Sequence, residues 1–292
     1  MKAFILVFGL MIPSVCTVNA DLRQNLESSY NIWRTSLIKK DARTWQQITA
    51  PHRQMEVRNR IVSEKQPFPA AVFDLPAPPP PLTGLKFLVA KQNGATAKSA
   101  YFGKVDFGVG GTPTDNLLVL TYVKGARGWF YDRADFVNLT ALQEVRKELS
   151  SGDLSYLNGV PEAQPSGIVP PTPIAANPAT TIAKVYVFCP GREVQVQINK
   201  ISRHRFANAK DADIVIGGAR LGSNEVQYAI KPLEGGTGQE AMTIRVYLFS
   251  QVEGSKPIKA FEYQIEEKEP FKPFGSGSFA LDEATAAKLS GR

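Results

Sequence analysis

Apolar residues recur at helical spacing near the start of the chain. Intervals of three and four positions predict a helix with one buried face, formed by Leu22, Leu26, Tyr30, Trp33 and Leu37. The stripe resumes at Trp45 and Ile48 and ends at Pro51. A second helix with a basic outer face is predicted over about residues 52–64. Two helical segments therefore open the fold.

From residue 85 the apolar period changes to two, which is typical of β-strands. The strands predicted in this part are 85–89, 100–109, 117–123 and 128–132. A helix over about 136–149 is predicted to close the domain, and Asp132 and Asp135 are interpreted as caps at its start.

The second half of the chain is predicted to be nearly all β. Val194, Val196 and Ile198 alternate with glutamines, which indicates one buried and one solvated face, as in an antiparallel sandwich. The predicted strands are 182–189, 193–201, 214–216, 225–230, 242–250 and 258–266. Residues after 268 are rich in Pro, Gly and Ser, so we expect a loose tail with a short helix near 284–289.

Two proline-rich stretches, 67–81 and 161–178, divide the chain. Both should be extended, because proline fixes φ and removes a backbone donor, and the second is interpreted as an interdomain linker. The predicted fold class is α+β, with N-terminal helices plus a curved antiparallel sheet followed by an all-β antiparallel sandwich. The predicted order is a signal peptide (1–20), an α+β cone-like domain (21–155), a Pro-rich linker (156–180), a β-sandwich domain (181–268) and a flexible tail (269–292).

The first twenty residues have the layout of a secretory signal peptide. A lysine precedes an apolar run from Phe4 to Met11, and Thr17–Ala20 predicts cleavage at its end. The run is shorter than the roughly 20 apolar residues of a membrane span. We therefore expect an exported protein, periplasmic or extracellular, with no transmembrane segment after signal removal. Lipid attachment through Cys16 is disfavoured because Val15, rather than a small residue, precedes it.

Composition and charge exclude several classes of protein. The 292 residues are 43% hydrophobic and 21% charged, which excludes wholesale disorder, collagen and coiled coil. Two histidines and two cysteines exclude a zinc-finger array, a disulfide scaffold and most histidine metal sites, so no metal and no cofactor are predicted. The net charge of +7 favours anionic surfaces, although charge that serves solubility is the more ordinary explanation.

Two segments of the first domain resemble a known fold family. In Leu37–Trp45 an acid interrupts the apolar stripe before a second apolar pair, and in the hairpin Leu117–Asp132 a tryptophan opens the last strand. Both resemble the nuclear transport factor 2-like superfamily, over residues 22–133, which implies a cone-shaped α+β fold. Enzymes of that superfamily place Asp/His or Tyr/Asp sets in the cone, whereas other members bind partners. No catalytic residue is carried over, because His52 lies on the basic helix and the next histidine is His204.

The second domain resembles immunoglobulin-like and C2-like sandwiches, without a feature that chooses between them. Calcium loops of C2-type modules need clustered aspartates, and calcium takes about six to eight oxygen ligands. Asp211 and Asp213 supply only two carboxylates, so no calcium site is predicted.

The strongest candidate for a contact site is the basic run that begins at Lys200. It places Lys, two Arg, a His and a Phe within seven residues, where a strand is expected to turn into a loop. Arginine forks suit carboxylate, sulfate and phosphate groups. The predicted binding residues are Arg192, Lys200, Arg203, His204, Arg205 and Phe206. The alternative is a solvated turn without a ligand.

Other patterns indicate structure more than chemistry. The glycine-rich segments 107–113 and 233–238 lie between predicted strands and lack the Lys-Ser/Thr of a phosphate loop, so they are interpreted as hairpin loops. Two histidines in separate domains disfavour a Ser-His-Asp set. Tyr101 and Asp106 are the residues that a proton-transfer site in the cone would use.

Together these features predict an exported, non-enzymatic binding or scaffold protein of a bacterial cell envelope that contacts anionic groups through the basic turn. The expected partner is an envelope protein or an anionic glycan or lipid surface, and no nucleic acid is expected. Two alternatives stay open: an isomerase- or dehydratase-like enzyme with Tyr101 and Asp106 in the cone, and a carbohydrate-binding exported module. A cone filled with aromatic side chains would count against the first, and exposed coplanar aromatics on the sandwich would support the second.

Overall fold

The computed structural model of the protein describes residues 15–106 and 112–291, with side chains from residue 20 onwards. The predicted signal peptide, including Cys16, and the first glycine-rich loop lie largely outside these residues. The described chain forms five α-helices and three antiparallel sheets, which confirms the α+β class. It divides into two compact units, Met1–Arg53 with Phe73–Pro171 and Gln54–Val72 with Thr172–Arg292.

The first unit is built on one antiparallel sheet. Its strands, in the order β1-β2-β3-β4, are β1 (Lys86–Asn93), β2 (Thr96–Val105), β3 (Thr114–Gly125) and β4 (Gly128–Asn138). Its helices are α1 (Val15–Ile38), α2 (Ala42–Ile48), the first three residues of α3 (Pro51–Ser63) and α4 (Gln143–Ser151). Asp41 caps α2 by accepting a hydrogen bond from the Thr44 backbone N at 3.0 Å, which explains why an acid interrupts the apolar stripe there.

Both faces of this sheet are buried, which explains the continuous apolar run in β3. One face packs against α1, in a cluster that includes Leu26, Tyr30, Leu118, Leu120 and Tyr122. The opposite face packs against α4 and the segment around it, in a cluster that includes Leu117, Val119, Leu139, Leu149 and Leu157. Successive side chains of a strand point to opposite faces, so a sheet covered on both sides needs apolar residues at every position.

The predicted helix over 136–149 is wrong in its first seven residues. Strand β4 continues to Asn138, with Phe136 opposite Leu118, and α4 begins only at Gln143. Asp132 and Asp135 therefore lie within a strand and cap no helix. Pairing with the buried strand β3 outweighs the helical spacing of the apolar residues, because tertiary context overrides local propensity.

The second unit contains two four-stranded antiparallel sheets, the part of α3 from Gln54 onwards and one short helix near its C-terminal end. The sheet of order β11-β10-β5-β8 consists of β5 (Ile182–Phe188), β8 (Lys210–Ile214), β10 (Met242–Phe249) and β11 (Ile258–Ile265). The sheet of order β12-β9-β6-β7 consists of β6 (Arg192–Ile198), β7 (Ser202–Ala207), β9 (Gly222–Pro232) and β12 (Phe274–Leu281). Their inner faces share one hydrophobic core, which includes Val185, Val194, Val226, Ile244 and Val246.

The C-terminal segment is part of this core, and the predicted flexible tail over 269–292 is wrong. Strand β12 pairs with β9 along its whole length, and α5 (Glu283–Leu289) follows it, as the predicted short helix anticipated. The glycines that suggested a loose chain leave room for rings: a Cβ at Gly275 would collide with Tyr228, and one at Gly277 would collide with Phe261. Glycine in this strand therefore permits close packing.

Within the second unit, side chains of α3 hold the last part of the proline-rich segment in place. Asn59 donates to the Ile174 carbonyl and accepts from the Ala176 backbone N, both at 2.8 Å. Ser63 Oγ accepts from the Gly217 backbone N at 2.8 Å. The predicted linker over 156–180 is therefore not a free spacer along its whole length, and it buries Leu157, Val160, Ala163, Ala176 and Ala179.

Phe279→Ala should lower the free energy of unfolding of the second unit by about 3–5 kcal/mol, because it removes a buried ring and leaves a cavity in the core. Phe279 is 6% exposed, whereas Phe274 on the same strand is 74% exposed. Phe274→Ala is the matched control, with an expected change within about 0.5 kcal/mol. Urea unfolding of the full chain measures both values. If neither variant changed the free energy of unfolding, the segment would be a loose tail.

Candidate functional site

The predicted basic turn is a strand. Strand β7 covers Ser202–Ala207, and its buried and exposed positions alternate strictly. His204 and Phe206 point inward and are buried, while Arg203 and Arg205 are exposed. Lys200 is exposed in the turn between β6 and β7, with a φ of 66°. The six predicted binding residues therefore do not share one surface, because a strand sends neighbouring side chains to opposite faces.

The contacts of Arg192 stabilise the fold. Its side chain is fully buried, and it donates from Nη1 to the Glu240 carbonyl at 2.5 Å and from Nη2 to the Gly238 carbonyl at 2.6 Å. Its guanidinium lies 5.2 Å from the centre of the Phe271 ring. Arg192 therefore fixes the second glycine-rich loop, 233–238, and does not join the exposed cations of β7.

Arg205 is already paired on its own sheet. Its Nη2 lies 2.5 Å from Glu193 Oε2, and Lys231 Nζ lies 3.2 Å from the other carboxylate oxygen. Hydrogen bonds from Arg205 and Gln195 lower the pKa of Glu193 to about 2, so this carboxylate stays ionised at neutral pH. Within the described chain, Lys200 and Arg203 form no ion pair and remain the only unpaired cations of the predicted set.

Ser202, His204 and Asp213 form a hydrogen-bonded chain that the sequence analysis disfavoured. Ser202 Oγ lies 2.7 Å from His204 Nε2, and His204 Nδ1 lies 3.0 Å from Asp213 Oδ2. The Ile216 backbone N donates to Ser202 Oγ at 2.7 Å, so the serine proton is assigned to His204 and the Nδ1 proton to Asp213.

This arrangement has the connectivity of a Ser-His-Asp catalytic set, but its serine is enclosed. Ser202 is 0% exposed, and its oxygen is occupied on both sides by protein groups. Arg60 of α3 approaches Asp213 Oδ1 at 3.4 Å. Hydrogen bonding from His204 lowers the pKa of Asp213, as expected for a carboxylate that serves as an acceptor. The chain therefore supports the fold between β7, β8 and α3 and offers no nucleophile to a substrate.

Tyr101 and Asp106 are not brought together. Tyr101 is buried on the α1 side of the sheet, where its hydroxyl donates to Glu27 Oε1 at 3.2 Å and burial raises its pKa. Asp106 is exposed just after the end of β2. Around Tyr101 this space is packed with aromatic rings; the ring centres of Trp33 and Tyr131 are 3.9 Å apart. A hollow of about 790 Å³ opens between α1, β1 and β4, but neither Tyr101 nor Asp106 lines it. This counts against the proton-transfer site that those two residues would form.

A buried polar pair in the first unit escaped the sequence analysis. His52 Nε2 lies 2.9 Å from Asp132 Oδ1, and both side chains are less than 5% exposed. Arg53 Nε lies 3.4 Å from the same oxygen and donates to the Asp132 carbonyl at 3.1 Å. Eighty positions separate the two partners in the chain, so no local pattern could have joined them. The pair ties the start of α3 to β4.

The sheet β11-β10-β5-β8 presents a different kind of surface. Alternation along β5 and β10 buries one row of side chains in the core and directs the other row outward. The outward row carries aromatic rings interleaved with cations. We call it the aromatic–basic face, formed by Lys184, Tyr186, Phe188, Thr243, Arg245, Tyr247 and Phe249, all of them half-buried.

The strand register sets cations beside rings on this face. Lys184 is directly opposite Tyr247, and Arg245 is directly opposite Tyr186. The Lys184 ammonium lies 5.2 Å from the centre of the Phe249 ring, within the range of a cation–π contact. The sequence signal for this face is the pair of outward rows Lys-x-Tyr-x-Phe in β5 and Arg-x-Tyr-x-Phe in β10, which alternation by itself does not bring together.

A shallow hollow of about 270 Å³ opens on the aromatic–basic face. Among its lining residues are Tyr186, Phe188, Lys210, Thr243 and Arg245. The volume lies slightly below the range of about 300–1,000 Å³ for enclosed small-molecule sites. The hollow therefore suits one ring or side group of an extended ligand better than a whole enclosed ligand.

Comparison of the chain with protein-family models, with curated proteins and with solved structures gave no match. The resemblances to the nuclear transport factor 2-like superfamily and to immunoglobulin-like or C2-like sandwiches therefore stay predictions. Within residues 15–106 and 112–291, no helix is both long and apolar enough to cross a membrane. The same residues contain no cluster of three His, Cys, Asp or Glu side chains placed to hold a metal ion.

Glu193→Gln should lower the free energy of unfolding at pH 7 and have little effect at pH 2. A carboxylate whose pKa is lower in the folded state adds stability above its unfolded pKa of about 4.3. That contribution is lost as the pH falls towards the folded value of about 2. Urea unfolding is measured for the unmodified chain and for Glu193→Gln from pH 7 to pH 2. The difference between their free energies of unfolding should shrink below about pH 4.5.

Glu225→Gln is the matched control for this pH series, because Glu225 lies on β9 of the same sheet and makes no ion pair among the described residues. It should leave the pH dependence of stability close to that of the unmodified chain. A gap for Glu193→Gln that stays constant down to pH 2 would contradict the role assigned to this carboxylate.

Proposed function

We propose that this protein is an exported, non-enzymatic binding protein that holds an extended polysaccharide on the aromatic–basic face. The observation that carries the proposal is the outward row of Tyr186, Phe188, Tyr247 and Phe249 on two adjacent strands. Outward positions of an antiparallel sheet are ordinarily polar, so aromatic side chains on neighbouring strands there require a reason other than the core.

The chemistry of the face suits a sugar polymer. The rings of pyranoses have apolar C–H faces that stack on aromatic side chains, and their hydroxyl groups pair with polar atoms at the ring edges. Tyr186 and Tyr247 supply both an apolar ring and a hydroxyl. Thr243, Arg245 and Gln264 supply donors and acceptors in the neighbouring rows. A sheet face with these groups on adjacent strands can accept several successive sugar units along one direction.

The exposed cations of β7 support binding less well. Arg205 is neutralised by Glu193, and Arg203 lies opposite Gln197 on a face whose large exposed apolar group is Phe274. The amino-terminal pattern predicts an exported protein. Export fits a polysaccharide ligand, because polysaccharides are abundant outside the cell and at its envelope. The buried serine of the Ser202 chain and the separation of Tyr101 from Asp106 support a non-enzymatic role.

Nucleic acid is the competing ligand for rings interleaved with cations. The exported address predicted from the amino terminus disfavours nucleic acid as the ligand of this face. Its rings also lie on an open sheet rather than along a cationic groove. Sugar polymers are therefore the better fit, and single-stranded DNA is an arm of the test.

Tyr186→Ala combined with Tyr247→Ala should weaken polysaccharide binding by about five- to a hundredfold. Each aromatic contact contributes about 0.5–1.5 kcal/mol, and about 1.4 kcal/mol corresponds to tenfold. The full chain is titrated by co-sedimentation with insoluble peptidoglycan and chitin, and by affinity electrophoresis in gels with soluble polysaccharides. Tyr186→Phe combined with Tyr247→Phe keeps the rings and separates stacking from hydrogen bonding. Circular dichroism and the thermal midpoint show that each variant is folded.

Arg203→Ala combined with Arg205→Ala, on the opposite sheet, is the matched control and should leave binding unchanged. If this control abolishes binding and the tyrosine variants do not, the ligand binds at β7, and the assignment of the aromatic–basic face as the binding surface is overturned. Binding to oligo(dT) with no binding to any polysaccharide would replace the proposed ligand class with nucleic acid. Absence of binding in every arm would also overturn the proposal.

A further inference from the structure

The cations of the aromatic–basic face are only partly balanced, and this deepens the function proposed above, on which it rests. The outward and paired positions of the four strands place Lys184, Lys210, Arg245 and Lys259 in adjacent rows. Two carboxylates oppose them: Glu262 lies among them, and Glu266, just after β11, accepts a hydrogen bond from Gln264 in the same row. A neutral polymer would leave this positive excess without a partner, whereas an acidic polymer would supply one.

Glu262 occupies the position that a ligand carboxylate would take. It lies on β11 directly opposite Arg245, with its Oε1 2.5 Å from Arg245 Nε. Its other oxygen accepts from Lys259 Nζ. Both Arg245 and Glu262 are about 30% exposed at their side chains, so this pair lies at the surface and not beneath the rings.

We infer that the ligand is an acidic polysaccharide bearing carboxylate groups, and that Glu262 is an internal competitor that occupies Arg245 and Lys259 until a ligand carboxylate replaces it. The replacement exchanges one carboxylate for another and leaves the charge of Arg245 satisfied throughout. Arginine favours such an exchange because its fork has five donors, of which Glu262 and Gln264 accept two in the free protein.

Hydrogen bonds from Lys259 and Arg245 lower the pKa of Glu262, so the internal competitor remains ionised at neutral pH. Exposed ion pairs are individually weak and are screened by salt, which makes the exchange thermodynamically accessible. Lys184 and Lys210, which make no ion pair among the described residues, then attract further carboxylates along the polymer. The expected ligand is therefore a polyuronate and not an isolated sugar acid.

Glu262→Gln tests the inference, because it keeps the shape of the side chain and removes the competing charge. The probe is polygalacturonate, compared with a neutral soluble glucan of similar length in affinity electrophoresis at low and at high salt. Glu262→Gln should raise the affinity for polygalacturonate by about 1.4- to fivefold and leave the affinity for the neutral polymer unchanged. Binding of polygalacturonate should fall as salt rises.

Glu225→Gln, on the other sheet, makes the same change in net charge and is the matched control. If both variants raise the affinity equally, only net charge matters and the role of Glu262 is overturned. If the unmodified chain binds the neutral polymer as tightly as polygalacturonate, acid selectivity is overturned while the proposed binding function stands. Binding to neither polymer, with no binding to any other polysaccharide, is the failure of the proposed function itself.

Discussion

The register between β5 and β10 places Val185 opposite Val246 and Lys184 opposite Tyr247. Side chains of a strand alternate between two faces, so a slip of one residue would send the valines to solvent and the tyrosine and lysine into the core. The inward row is almost fully buried, which makes such a slip costly. The hydrophobic core therefore also determines which side chains form the aromatic–basic face.

Buried polar contacts complete this framework at its edges. Ser202, His204 and Asp213 satisfy one another across β7 and β8, and Arg192 satisfies the carbonyls of the second glycine-rich loop. An unpaired buried donor or acceptor costs free energy, so such groups persist only where their partners are fixed. The Ser202 chain thus resembles a catalytic set only because its buried polar groups satisfy one another's hydrogen bonds. A catalytic serine must be reachable by a substrate, whereas Ser202 is fully buried.

Most strands of the second unit were predictable because alternation is a local property of the sequence. The pattern Val194, Val196 and Ile198 is visible without knowing what those residues contact. The failures came where partners were distant. Phe136 fits a helical spacing but pairs with Leu118, and the glycines of β12 look flexible until rings of Tyr228 and Phe261 cover them. In each case a contact from another element outweighed the local preference.

The sequence by itself determined the α+β class, the positions of most strands and the inward rows of the core, because these depend on period and composition. The tertiary structure decided which outward side chains share a surface, since that depends on strand order and register. It separated Arg192 and Phe206 from the exposed cations of β7, and it joined His52 to Asp132 across eighty residues. It also brought Lys184, Tyr186, Arg245 and Tyr247 together, from strands about sixty residues apart in the chain, because antiparallel pairing aligns residues that no local pattern relates.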